Sequence, residues 1–226
     1  MEPLLKFLKD FSLKPIPILD DSIPIQRYVP ISLAVDNPEL LTFDSTDPIA
    51  CEAHINYFLE QNNASVAYGG YLEKRDLYKD KANFSGTGEE QRNIHLGMDF
   101  WAPAGTRVMV PISGKVHSFN NNSAKDDYGP TIILTHEVEG IQFHTLYGHL
   151  SLESLDNLSV GKKFHEGEFL ATLGTSDINV NYAPHLHFQI IQNIGEYEGD
   201  YPGVCAIRNM EYYSKNCPDP NLLLKI

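Results

Sequence analysis

The chain has 226 residues, enough for one large domain or a domain with a substantial extension. Its formal charge of −13 argues against nucleic acid, whose phosphates need Lys and Arg to displace counterions, and against an anionic membrane surface. No apolar run reaches the length of a membrane span, so no membrane insertion is expected.

The first stretch, MEPLLKFLKDFSLKPIPIL, has Lys6, Lys9 and Lys14 breaking up its apolar residues and no small-residue cleavage site. It does not read as a signal peptide. The expected location is therefore cytoplasmic, with a periplasmic or extracellular protein as the alternative. Cys51, Cys205 and Cys217 are an odd set without a Cys-x-x-Cys pair. Cys205 and Cys217 could pair in an oxidising compartment; without an export signal, thiols are expected.

Residues 1–45 are punctuated by Pro3, Pro15, Pro17, Pro24, Pro30 and Pro38 and read as an irregular arm or edge strand. Asp47-Pro48 predicts a helix start, an N-cap followed by Pro in the first turn. Cys51, Ile55, Phe58 and Leu59 form its apolar stripe, which makes Cys51 a packing residue rather than a nucleophile beside His54. Asn62-Asn63 ends it.

From Ala64 the pattern changes to short strands and turns. Ser65–Tyr68 is a strand leading into Gly69-Gly70. Residues 73–93 are highly charged, with a loop at Ser85-Gly86-Thr87-Gly88. Thr106–Val110 and Lys115–Phe119 are strands around Ser113-Gly114. Thr131–Glu137 and Ile141–Leu150 form a hairpin through Glu139-Gly140. Phe169–Leu173 is a further strand, and the last thirty residues read as irregular. The organisation expected is 1–64 as an N-terminal extension with one helix, 65–192 as a mainly β domain with antiparallel sheets, and 193–226 as a tail packed on it.

Two spacings carry chemistry. In Pro184-His185-Leu186-His187-Phe188, strand alternation points His185 and His187 one way and Leu186 and Phe188 the other. Alone, that is equally two half-exposed strand histidines. His95 and Asp99 flank Gly97 at a loop-to-strand entry, where Gly permits the backbone needed to bring both side chains to one point. Imidazole and carboxylate are both zinc ligands, and three protein ligands plus water is the arrangement of a catalytic zinc. In the hairpin, Ile141, Phe143, Tyr147 and His149 are expected on one face. His144 then falls on the other, as a surface residue or one behind the site. His54, His117, His136 and His165 have no evident partner.

Taken in order, these pieces resemble the lysostaphin/LytM-type zinc metallopeptidases. The resemblance runs from about Ala67 to Ile191. It takes in Gly69-Gly70-Tyr71 with Arg75, His95-Leu96-Gly97-Met98-Asp99, Ala102-Pro103-Ala104-Gly105-Thr106 and Gly114-Lys115-Val116. It continues through Tyr147-Gly148-His149-Leu150, Gly161, Gly167 and Leu173-Gly174 to His185-Leu186-His187-Phe188. It implies that fold, and one Zn²⁺ per chain held by His95, Asp99 and His187. It also implies two catalytic histidines, His149 and His185, whose roles as proton acceptor and oxyanion stabiliser or proton donor stay unassigned. The implied activity is a bacterial endopeptidase cleaving peptide bonds of peptidoglycan type or related peptides. The alternative is a non-catalytic module of the same type that binds cell wall or regulates another hydrolase. The arm and the tail have no counterpart in the minimal family domain.

Overall fold

The computed structural model describes residues 3–44, 46–75, 90–124, 127–179 and 182–226. The loop expected at Ser85–Gly88 lies outside the described residues. Twelve strands are described: β1 (Tyr28–Pro30), β2 (Val66–Gly69), β3 (Arg92–His95), β4 (Met98–Trp101), β5 (Arg107–Met109), β6 (Gly114–Asn122), β7 (Gly129–Val138), β8 (Ile141–Gly148), β9 (Lys163–Phe164), β10 (Phe169–Thr172), β11 (His185–Ile191) and β12 (Val204–Ala206). Four helices accompany them: α1 (Pro3–Asp10), α2 (Pro48–Gln61), α3 (Met210–Asn216) and α4 (Asn221–Leu224). The fold is mainly β.

One eight-stranded sheet has the order β1-β2-β4-β11-β8-β7-β6-β9; the pairs β5–β10 and β3–β12 stand apart from it. Among the described strands, all pairings are antiparallel except β1–β2. The predicted β7–β8 hairpin forms because Glu139 and Gly140 both take positive φ, 52° and 78°, matching a tight turn to the strand twist. Helix α2 starts where expected: Asp47 accepts a hydrogen bond from the Ile49 amide and Pro48 opens the first turn.

The two faces of the sheet do different jobs. Met98, Phe100, Tyr147, Leu186, Phe188 and Ile190 point into the main core, which α1, α4 and the β5–β10 pair help to cover. The opposite face carries Asp99, Trp101, His185 and His187, set side by side by the ladder: Asp99 faces His187 and Trp101 faces His185. Among the described residues, that face is covered by hydrophobic clusters at its two ends. Ile31, Leu33 and α2 pack on Trp101 at one end, and Ile194, Tyr201 and Cys217 pack on Ile133, Leu146 and Ile191 at the other. Between them lies an open cleft.

Four expectations need correction. The extension holds a second helix, α1: Leu4 and Leu8, one turn apart, are buried, and Phe7 and Phe11 pack beside them. The tail is not irregular, since it supplies β12, α3 and α4. His144 is not at the surface; it is 6% exposed, and burial pushes its pKa down to about 4. His149 does not share the face of Phe143 and Tyr147. Its φ of 62° is left-handed, which breaks strand alternation and swings the ring to the face of His185 and His187. Cys205 and Cys217 carry free, buried thiols.

Candidate metal centre and cleft

His95 ends β3 and Asp99 sits in β4, so the Leu96-Gly97 link joins two different sheets. Gly97 is needed here for space rather than for a positive φ. A Cβ on it would lie 2.7 Å from His187 Cε1, His187 Nε2 and the Phe188 carbonyl oxygen. Close passage of this link over β11 brings the His95 ring to His187, with centroids 4.8 Å apart.

The three donor atoms form a nearly equilateral triangle. His95 Nε2 is 2.9 Å from His187 Nδ1, and Asp99 Oδ1 is 3.1 Å from His187 Nδ1 and 3.2 Å from His95 Nε2. Hydrogen-bond partners decide where the protons are. His95 Nδ1 donates to the Gly70 carbonyl at 2.9 Å, so Nε2 presents a lone pair. His187 Nε2 donates to Gln189 Oε1 at 3.0 Å, so Nδ1 does the same. Two imidazole lone pairs and a carboxylate oxygen thus converge with no proton between them. Without a cation the arrangement is repulsive; with one it is a ligand set whose outer N–H groups are already engaged, as metal-ligating histidines require. Zinc bonds of about 2.0–2.1 Å in a tetrahedron set donors about 3.3 Å apart, close to the observed edges. Among the described residues this is the one cluster of His, Cys, Asp or Glu side chains with ligand atoms so close.

The charge environment favours the ligand states. Burial alone would raise the Asp99 carboxyl, but its neighbours His95, Arg75 and His187 together hold it well below the usual carboxylate range. Burial, then the Arg75 charge, pushes His95 down to about 4, which keeps it neutral. Arg75 is itself buried; its Nη1 donates to Asp99 Oδ2 and its Nε to Glu73 Oε2, both at 2.6 Å. Glu73 in turn accepts from Ser32 and from the Leu33 amide, tying the ligand set to the N-terminal arm. Gly70 makes room: at φ 101°, it has Arg75 Nη2 only 2.0 Å from where its Cβ would stand.

Beside the triangle lie the two remaining histidines, their rings 4.2 Å apart. His185 stacks on Trp101 and donates its Nδ1–H to the Ala183 carbonyl at 2.6 Å, leaving Nε2 as a base. His149 is fixed by its backbone, its N–H bonded to the Tyr128 carbonyl and its carbonyl to the Gly174 N–H. Its buried Nδ1 has no hydrogen-bond partner among the described residues. Burial first, then the charge of His185, holds His149 well below the normal imidazole pKa; burial likewise lowers His185. Both rings are therefore neutral near pH 7.

All five residues line one cleft of about 450 Å³. Leu33 and Cys51 of the extension form part of its wall, and Tyr197, Asp200 and Tyr201 form another part. Cys51 also packs with Ile55, Phe58 and Leu59 as expected. The other histidines are elsewhere: His54 stacks on Phe43, His117 meets His144, His165 is exposed, and His136 bonds Ser113 O and Thr145 Oγ1. Sequence reasoning missed Gln189 and Tyr128. Gln189 was findable, since strand alternation extends the face of His185 and His187 to it. Tyr128 carried no signal; its ring lies 5.1 Å from His187, over Gly148 and Gly203, where side chains would collide with it.

Residues 93–198 match the model of peptidase family M23. The motif-based resemblance to lysostaphin/LytM-type peptidases is borne out over that span. A search of the curated proteins gave no match. Among solved structures, Csd3 of Helicobacter pylori is 21% identical over 55% of this chain and 33% of its own, with a TM-score of 0.35. The chain thus spans about a third of that protein's length. The catalytic domain of the antimicrobial peptidase lysostaphin from Staphylococcus simulans is 24% identical over 58% of this chain and 93% of its own, at 0.38. A zinc containing peptidase from Vibrio cholerae is 24% identical over 47% of this chain and 32% of its own, at 0.36.

Proposed function

We propose that this protein, whose residues 93–198 match the model of peptidase family M23, is a zinc-dependent endopeptidase that hydrolyses a peptide bond in a peptidoglycan-type or related peptide. The observation that carries the reading is the triangle of three unprotonated donors, His95 Nε2, Asp99 Oδ1 and His187 Nδ1, which only a cation stabilises. His95, Asp99 and His187 would hold zinc, whose Lewis acidity brings the pKa of a water towards neutrality and polarises a carbonyl. A carboxylate with two imidazoles leaves the site net positive, as that chemistry needs.

The chain's own residues would handle the protons. His185, with Nδ1–H tied to Ala183, offers Nε2 as the proton acceptor. His149, neutral and packed against it, has an orphan Nδ1 with which to meet a developing oxyanion or the departing amine. Arg75 keeps Asp99 ionised and aimed. The cleft wall from the arm and from Tyr197–Tyr201 excludes water from one side of a bound peptide.

The test is metal content and hydrolysis measured together. Protein purified without added metal should carry close to one zinc per chain and cleave at least one of a panel of muropeptides and ordinary peptides. Asp99→Ala should lose metal and activity together, whereas His149→Ala should keep its zinc and lose about 10²–10⁴ in rate. A folded wild-type protein that takes up no zinc on titration would sink the reading.

A further inference from the structure

We infer that Gln189 and the segment Pro202–Val204 are part of the metal centre: they choose which ring nitrogen His187 offers and brace His95 against it. The inference rests on the zinc reading above and goes beyond it. It starts from the Gln189 amide, which is fully buried and must place its two N–H donors against acceptors. Its Nε2 lies 3.2 Å from the Pro202 carbonyl oxygen and 3.2 Å from Cys217 Sγ. Reversing the amide would press its oxygen against another carbonyl, so Pro202 settles the orientation. Gln189 Oε1 then has to face His187 Nε2, as it does at 3.0 Å. An amide oxygen has no proton to give. The proton therefore sits on His187 Nε2, and Nδ1 is the nitrogen left for a metal.

The two histidine ligands consequently offer different nitrogens, Nε2 from His95 and Nδ1 from His187. In each case a backbone carbonyl makes the choice, Gly70 directly and Pro202 through one amide. The same short segment reaches the other ligand as well. Gly203 O accepts from the Leu96 amide at 2.8 Å, and Val204 of β12 faces His95 of β3 in the ladder. Gly203 also leaves room for the Tyr128 ring. Three consecutive residues, Pro202, Gly203 and Val204, thus touch the rings or their supports, and all lie beyond residue 198, where the family match ends. Gln189 is a positioning residue, and the tail has a duty at the metal.

Two substitutions in the full-length protein separate this from general packing. Gln189→Leu removes both ends of the relay. Gln189→Glu keeps an acceptor towards His187 but sets an oxygen against the Pro202 carbonyl. Zinc dissociation constants from competition with a chromophoric chelator should weaken about 10–100-fold in Gln189→Leu. They should stay within about threefold of wild type in Gln189→Glu, although both variants unfold at lower temperature when metal-free. Wild-type affinity in folded Gln189→Leu, or an equal loss in both variants, would overturn the inference. A measurement on the wild-type chain needs no variant to fold: long-range ¹⁵N–¹H correlation should find the His187 proton on Nε2, with and without zinc. A proton on Nδ1 in the metal-free protein would overturn it too. Should the wild type bind no zinc, the proposed function fails on its own, and the metal-free tautomer still decides the relay.

Discussion

Replacing Gly97 by Ala tests whether the donor triangle depends on the close pass of the Leu96-Gly97 link over β11. The new methyl would stand 2.7 Å from two atoms of the His187 ring, where ordinary contact begins at 3.4 Å. The ring, or the link carrying His95, must therefore yield by roughly 0.7 Å. A metal site tolerates about 0.2 Å in ligand distance, so this shift is several times too large. The expected cost is a zinc affinity at least 10–100-fold weaker, comparable to losing a residue that supports a ligand. The third contact, to the Phe188 carbonyl oxygen, adds overpacking worth about 1–3 kcal/mol of fold stability. Gly105→Ala is the control. Its Cβ would meet nothing within 4 Å, but its φ of 81° strains any side chain, so it should lose stability without losing zinc. Chelator competition and metal-free thermal unfolding would be run on both. Gly97→Ala with wild-type zinc affinity would refute the reasoning, because the ring would then have had room to spare.

Arg75→Met should be among the most destabilising single changes, by about 3–5 kcal/mol in urea unfolding, because Asp99 and Glu73 lose their buried counter-ion together. Acid should weaken the metal-free fold through His136, whose pKa burial pushes down to about 4. The unfolded chain takes up that proton first, so the contribution is whole above about pH 6.5 and is lost as pH falls towards 4, amounting to roughly 3 kcal/mol. His136→Gln should show a correspondingly flatter fall in urea midpoint between pH 7 and pH 4.5; parallel falls would contradict it. Cys205 and Cys217, raised by burial to about 11 and about 12, should be silent to a thiol reagent in the native protein and react after denaturation.

What could be read beforehand was whatever local chemistry decides. Asp47-Pro48 announces α2 and Glu139-Gly140 the β7–β8 turn because caps and tight turns are settled by two or three neighbouring residues. His185 and His187 share a face because strand alternation is rigid. The misreadings came where tertiary structure overrides a local rule. His149 leaves the face of Tyr147 because one left-handed residue, held by Tyr128 and Gly174, undoes the alternation. Gly97 matters for a ring ninety residues away, not for its own backbone freedom. The turn of apolar residues in α1 was masked by its lysines, which lie on the solvent side while Leu4 and Leu8 go in. Gln189 shows the limit from the other side: its face was legible, but its partners Pro202 and Cys217 were not.

The strand order also sets a timetable for assembly. β7 and β8 adjoin in sequence and can zip locally, on the microsecond scale of hairpins. The β4–β11 ladder has to wait, since Asp99 and His187 meet across a separation of 88 residues. β3 waits longer still, for β12. Closing such loops costs chain entropy before any contact repays it. A nascent chain therefore holds its hairpins long before it holds a metal site. Under the proposed zinc reading, a metal arriving at a centre completed only when residues 202–204 dock would reward the finished fold rather than nucleate it.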